Sequence, residues 1–146
     1  MLSASLLACG PAPDTRQQLA DAVAFAQERC YRLIHHDTFA YHACIASLLR
    51  EEANPTPKRL GIEYFGWAGA LNSARMGMRG AETTAYELLQ RFRATQKALG
   101  VDDATLCRSI PGDCNARIAR MRQMEAGPAP TPDDRATTAD AHGHQD

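Results

Sequence analysis

The chain of 146 residues contains no apolar run approaching the roughly 20 residues that span a bilayer as a helix. Nor does any stretch alternate apolar and polar residues long enough to form a half-buried strand, so a sheet is not expected to organise the fold. A net charge of −1 gives no electrostatic case for a nucleic-acid partner. The local signatures of catalysis are missing too. Ser47, Ser73 and Ser109 lie outside any G-x-S-x-G context, and there is no G-x-x-x-x-G-K-[ST] loop. Neither an H-E-x-x-H zinc motif nor a C-x-x-C-H haem motif occurs. The pairs Glu51/Glu52 and Asp102/Asp103 fall where helix ends and caps account for them. Catalysis would require groups such as Tyr41, His42, Glu63 and Tyr64 to converge from separate helices. The sequence names no catalytic residue and no cofactor, and favours a non-catalytic protein.

What is present is helical periodicity. Asp14 to Ile34 places Leu19, Val23, Phe25, Ala26, Cys30, Leu33 and Ile34 at three-to-four spacing, which predicts a first helix. A turn at His35-His36-Asp37-Thr38 leads into a second helix through Phe39, Tyr41, Cys44, Ile45, Leu48 and Leu49. After Asn54-Pro55, Thr56-Pro57 pairs a favoured N-cap with a favoured first helical residue, so a third helix is expected from Pro57 to about Met78. A fourth is expected from Ala81 to Leu99 with Gly100 as its C-terminal cap. Asp102 or Asp103 caps a short helix through Cys107, and Asp113 caps a last one from Cys114 to Ala126. The expected fold is all-α, one small domain of five to six helices in antiparallel hairpins.

Glycine in the third helix needs an explanation, since Gly61, Gly66 and Gly69 each cost about 1 kcal/mol relative to Ala in a helix interior. Small residues form two rows at spacing four, Gly66-Ala70-Ala74 and Gly69-Ser73-Gly77, which let a neighbouring helix approach closely. The main expectation is tight packing within the chain. The sharper expectation is a partner surface made by Tyr64, Phe65, Gly66, Trp67, Gly69 and Ser73.

Four cysteines, Cys30, Cys44, Cys107 and Cys114, are an even set that suits an oxidising compartment. Cys30 and Cys44 lie symmetrically about Asp37 in the first turn, and Cys107 and Cys114 flank Ser109-Ile110-Pro111-Gly112. Antiparallel hairpins at those turns predict the pairs Cys30–Cys44 and Cys107–Cys114. The alternative is four free cysteines buried as small apolar side chains in a cytoplasmic protein. Around the first turn His35, His36 and His42 are the candidate metal ligands, in a second reading of the chain as a soluble helical protein with a metal or small-molecule site. Against that reading, His42 is five residues beyond Asp37, off the spacing that shares a helix face.

The chain divides into residues 1–13, a helical body over 14–126, and a tail over 127–146. The tail is rich in Pro, Asp, Thr and Ala without large aliphatic residues, and is expected to be disordered. It carries Asp133, Asp134, Asp140 and Asp146 against one Arg, together with His142 and His144. In the body Arg108, Arg117, Arg120 and Arg122 make a basic cluster, read mainly as the solvated face of the last helix.

Residues 6–10, Leu6-Leu7-Ala8-Cys9-Gly10, resemble the lipobox of a bacterial lipoprotein signal. The resemblance implies acylation of Cys9 and attachment to an envelope membrane, with the body facing the periplasm. Gly10 after the cysteine implies the outer membrane. The apolar stretch before Cys9 is short and lacks a basic flank, so the natural start is expected upstream of Met1. Gly10-Pro11-Ala12-Pro13 is expected to be a stiff extended spacer. Together these readings make the chain an envelope lipoprotein that acts as a helical binding or structural module with a protein partner in the envelope.

Overall fold

The computed structural model describes residues 11–34, 38–110 and 112–130, which form six α-helices and no strand. In order they are α1 (Pro11–Cys30), a 3-10 turn (Tyr31–Ile34), α2 (Thr38–Glu51), α3 (Pro57–Arg75), α4 (Ala81–Leu99), α5 (Asp103–Ser109) and α6 (Cys114–Ala126). Cys9, His35, His36, Pro111 and residues 131–146, with His142 and His144, lie outside the described residues.

Local chemistry sets most boundaries. Thr56 caps α3, its Oγ1 accepting from the Arg59 amide at 3.0 Å, with Pro57 at the first position where no amide is needed. Asp102 caps α5 by accepting from the Thr105 amide at 2.7 Å. Asp113 stands at the N-cap of α6 as expected by position, but its side chain makes no capping bond. Three other expectations are corrected. First, α1 begins at Pro11, so Pro11-Ala12-Pro13 forms a helical turn rather than an extended spacer. Proline's preset φ and missing N–H are both tolerated in a first turn. Second, α1 ends at Cys30 and the chain tightens into a 3-10 turn before Ile34. Third, α3 stops at Arg75 instead of Met78. Gly77 there adopts φ 83°, its amide bonds to the Ala74 carbonyl, and the Met78 amide reaches back to the Ser73 carbonyl. This pairing of bonds closes a helix end and needs the left-handed conformation that glycine accepts.

Helix α3 is the axis of the molecule. It packs extensively on α4 and α1, and also on α2. Every residue from Leu60 to Trp67 is buried, a run with no solvent-facing position. A helix enclosed on all sides loses amphipathic periodicity, and it must also be thin. A Cβ built at Gly61 would stand 2.5 Å from the Ala22 Cβ on α1, and one at Gly66 would stand 2.8 Å from Ile45 Cγ2 on α2. At Gly69 the Tyr41 ring fills the place of a side chain, and the Tyr41 hydroxyl donates to the Phe65 carbonyl at 3.0 Å. Gly66 and Gly69, from the two rows of small residues, are therefore spent on neighbours within the chain, whereas Gly77 at the end of one row has none within 4 Å.

Two disulfides and one polar clasp hold the periphery. Cys30–Cys44 ties the end of α1 to α2, and Cys107–Cys114 ties α5 to α6, in the pairing the turns predicted. Arg93 on α4 grips Glu125 on α6 through two bonds of 3.0 Å and Asp103 on α5 at 2.8 Å. Gln96 and Arg122 add bonds to the same Asp103 carboxylate, at 2.7 and 2.9 Å.

Two outcomes test this packing. Gly69→Ala gains about 1 kcal/mol of helix propensity, yet the collision with Tyr41 is expected to dominate and leave a net loss of ~1–3 kcal/mol in urea unfolding. Net stabilisation would show that α3 can move away from Tyr41. Opening the Cys30–Cys44 and Cys107–Cys114 loops is expected to cost about 3 and about 2.5 kcal/mol respectively, by the chain-entropy relation. Thermal melts of the Cys30→Ser/Cys44→Ser and Cys107→Ser/Cys114→Ser variants measure each loss.

Candidate functional site

Between α3, α6 and the 3-10 turn lies a cleft of about 510 Å³, within the size range that admits a small organic molecule. Its floor comes from α3, where Phe65, Trp67, Gly69 and Leu71 present apolar surface and glycine backbone. Arg75, past the apolar part of α3, stands at one edge, and Tyr31 of the 3-10 turn at another. Asp113, Arg117 and Arg120 line the side contributed by the start and middle of α6. The lining thus carries three arginines and one carboxylate.

None of those arginines enters an ion pair among the described residues. The ion pairs there use Lys58, Arg59, Arg93 and Arg122. Arg117 makes a long 3.5 Å bond to the Tyr64 hydroxyl and lies over the Tyr64 ring at 5.6 Å, which leaves it half-buried and oriented. Arg120 reaches only Gln123, at 3.4 Å, from an exposed position. Trp67, also on the lining, is fully buried, and its Nε1–H has no acceptor among the described residues.

The residues singled out in the sequence divide among different environments. Tyr64, Trp67 and Ser73 are almost completely buried, Phe65 is 9% exposed, and Gly66 and Gly69 are buried with them. They do not form an open partner face, because α1, α2 and α4 already cover α3. Phe65, Trp67 and Gly69 nevertheless reach the cleft floor. Of the arginine cluster, Arg117 and Arg120 line the cleft, whereas Arg122 is paired with Asp103 and Arg108 bonds Thr105. Arg75, 42 residues before Arg117, carried no signal in the sequence; only the approach of α6 to the end of α3 brings them together.

His42 is partly buried on α2, edge-on to the Tyr41 ring at 5.5 Å. Loss of solvent lowers its pKa and favours the neutral imidazole. No group of three or more metal-ligating side chains occurs among the described residues. Tyr41, His42, Glu63 and Tyr64 do not converge on the cleft. Tyr41 bonds the α3 backbone, Tyr64 contacts Phe92 and Arg117, and Glu63 is enclosed with Arg59.

Glu63 was the unexpected member of this set. It is completely buried, and the Arg59 Nε stands 3.1 Å from its Oε2 without the alignment of a good hydrogen bond. Burial pushes its pKa up, and the neighbouring Thr95 hydroxyl and the Arg59 and Arg91 guanidiniums offset only part of that rise. Asp103 goes the other way. Its burial also raises the pKa, but the bonds from Gln96, Arg93 and Arg122 outweigh it and hold the carboxyl below its ordinary value. Asp103 therefore adds stability at neutral pH that is lost as pH falls through its depressed pKa, and Glu63 adds stability at acid pH that is lost as pH rises through its raised one.

Comparison of the chain with protein-family models, with curated proteins and with solved structures finds no match.

The opposite signs give a direct test. Glu63→Gln keeps the shape of the protonated acid, so its urea midpoint is expected to equal that of the parent near pH 4 and to exceed it at pH 8. A variant that is less stable at pH 8 than at pH 4, relative to the parent, would show that the Glu63–Arg59 pair stabilises the ionised acid after all.

Proposed function

We propose that this protein is a small bacterial envelope lipoprotein, held to a membrane by acyl chains on Cys9, and that it works as a non-catalytic helical binding module. The observation that carries the compartment is the pair of short-range disulfides, Cys30–Cys44 and Cys107–Cys114. Such bonds persist in oxidising spaces and are rare where thiols are kept reduced. Leu6, Ala8 and Cys9 supply the processing and acylation pattern, and Cys9 is the cysteine left over once the other four are paired.

No helix among the described residues is long and apolar enough to cross a membrane. Acyl chains contribute about 0.8 kcal/mol per buried methylene, enough for stable attachment when more than one chain is present. The binding role rests on the cleft between α3 and α6, where arginines without ion pairs stand above an apolar floor. A protein partner in the envelope is part of the same reading.

Intact mass of the protein made from its own locus, upstream sequence included, tests the compartment. A diacyl or triacyl increment on Cys9 is expected, with Cys30, Cys44, Cys107 and Cys114 alkylated only after reduction. An unacylated Cys9 with all five thiols labelled in the native extract would overturn the envelope assignment.

A further inference from the structure

We infer that the cleft between α3 and α6 is a binding site for a small amphipathic organic anion, one phosphate or carboxylate group on a short acyl or aromatic body. This deepens the binding-module reading above and rests on it. The charge is the first argument. Arg75, Arg117 and Arg120 come from two helices to one cleft, none is neutralised by an ion pair among the described residues, and Asp113 is the one carboxylate on the lining. Three arginines against one carboxylate leave the lining net positive, and a bound anion gains charge-assisted, two-pronged hydrogen bonds from guanidinium.

The floor is the second argument. A site for a free inorganic anion would be lined by donors, yet the lining between the arginines includes Phe65, Ala68 and Leu71, whose partly exposed surfaces offer apolar contact to a hydrocarbon or aromatic body. The volume of about 510 Å³ suits a molecule of this kind. Trp67 belongs to the lining yet is fully buried, with no acceptor for its N–H among the described residues, so it senses the cleft without touching its occupant.

The test uses Trp67 itself, the single tryptophan of the chain, as the reporter. Soluble protein with its four body cysteines oxidised is titrated with octyl phosphate below its micelle concentration, and in parallel with inorganic phosphate and with octanol. A saturable change in Trp67 emission with octyl phosphate is expected, at least tenfold tighter than with either half-molecule and weakened by added salt. Arg75 and Arg120 are exposed and outside the core, so Arg75→Gln/Arg120→Gln is expected to keep the parental melting temperature while losing at least tenfold in affinity.

Vesicles separate the two sources of such an anion. Sedimentation with phosphatidylglycerol but not phosphatidylcholine, lost in the double variant, assigns the group to a lipid headgroup. Binding of octyl phosphate without binding to vesicles assigns it to a free small molecule. Octanol binding as tightly as octyl phosphate, or an affinity unchanged in the double variant, overturns the anion assignment but leaves the cleft as a site. Absence of any saturable emission change overturns the site itself, whatever the mass of Cys9 shows.

Discussion

Helix α3 can be enclosed by α1, α2 and α4 only because it is thin where they touch it. Gly61 admits the backbone and Ala22 of α1, Gly66 admits Ile45 of α2, and Gly69 admits the whole Tyr41 ring. Each glycine gives up about 1 kcal/mol of helix propensity. Each close approach in return buries large side chains on both helices, and a single such side chain gains roughly 1.5–3 kcal/mol when removed from water. The exchange favours glycine wherever it lets Tyr41, Ile45 or Leu19 become fully buried. The Tyr41 hydroxyl then satisfies itself on the Phe65 carbonyl, so the ring brings no unpaired polar group into the core.

This arrangement divides the molecule into a rigid centre and a tied-on edge. Helices α5 and α6 are short and offer little apolar surface: Leu106 is the buried residue of α5, and Cys114, Ile118 and Met121 are those of α6. The Cys107–Cys114 bond joins the two to each other, α5 also packs on α1, and Arg93 joins α4 to both. The clasp sits on the side of α6 that carries Arg122 and Glu125, leaving Arg117 and Arg120 for the cleft. A helix held along one side by polar bonds and a disulfide does not close down on α3 as α1 and α4 do. The cleft is the space that remains.

Glu63 belongs to the centre and departs from its chemistry. Burial favours the neutral acid there, and Arg59, itself anchored to the Glu52 carbonyl at 2.7 Å just past the end of α2, offsets only part of that preference. Arg59 therefore links the α2–α3 connection to the core. The sequence held no sign of this, because Arg59 and Glu63 at spacing four look the same on an exposed helix as on a buried one.

Local rules decided the helices from the sequence alone. Thr56-Pro57, Asp102 and Gly100 start and stop elements by chemistry that acts within one turn, and the cysteine pairs followed from turn symmetry within 14 and 7 residues. The three misplaced helix ends, at Pro11, Cys30 and Arg75, lie where a first or last turn can form by more than one bonding pattern. Which neighbour the small-residue rows of α3 receive was not legible, since the same rows serve a partner or the chain's own helices. Only the tertiary structure settled that, by placing α1, α2 and α4 around α3 and turning Tyr64 and Trp67 inward. It alone also brought Arg75 to Arg117 and Arg120, because charges distant in sequence meet through helix packing, which no local pattern encodes.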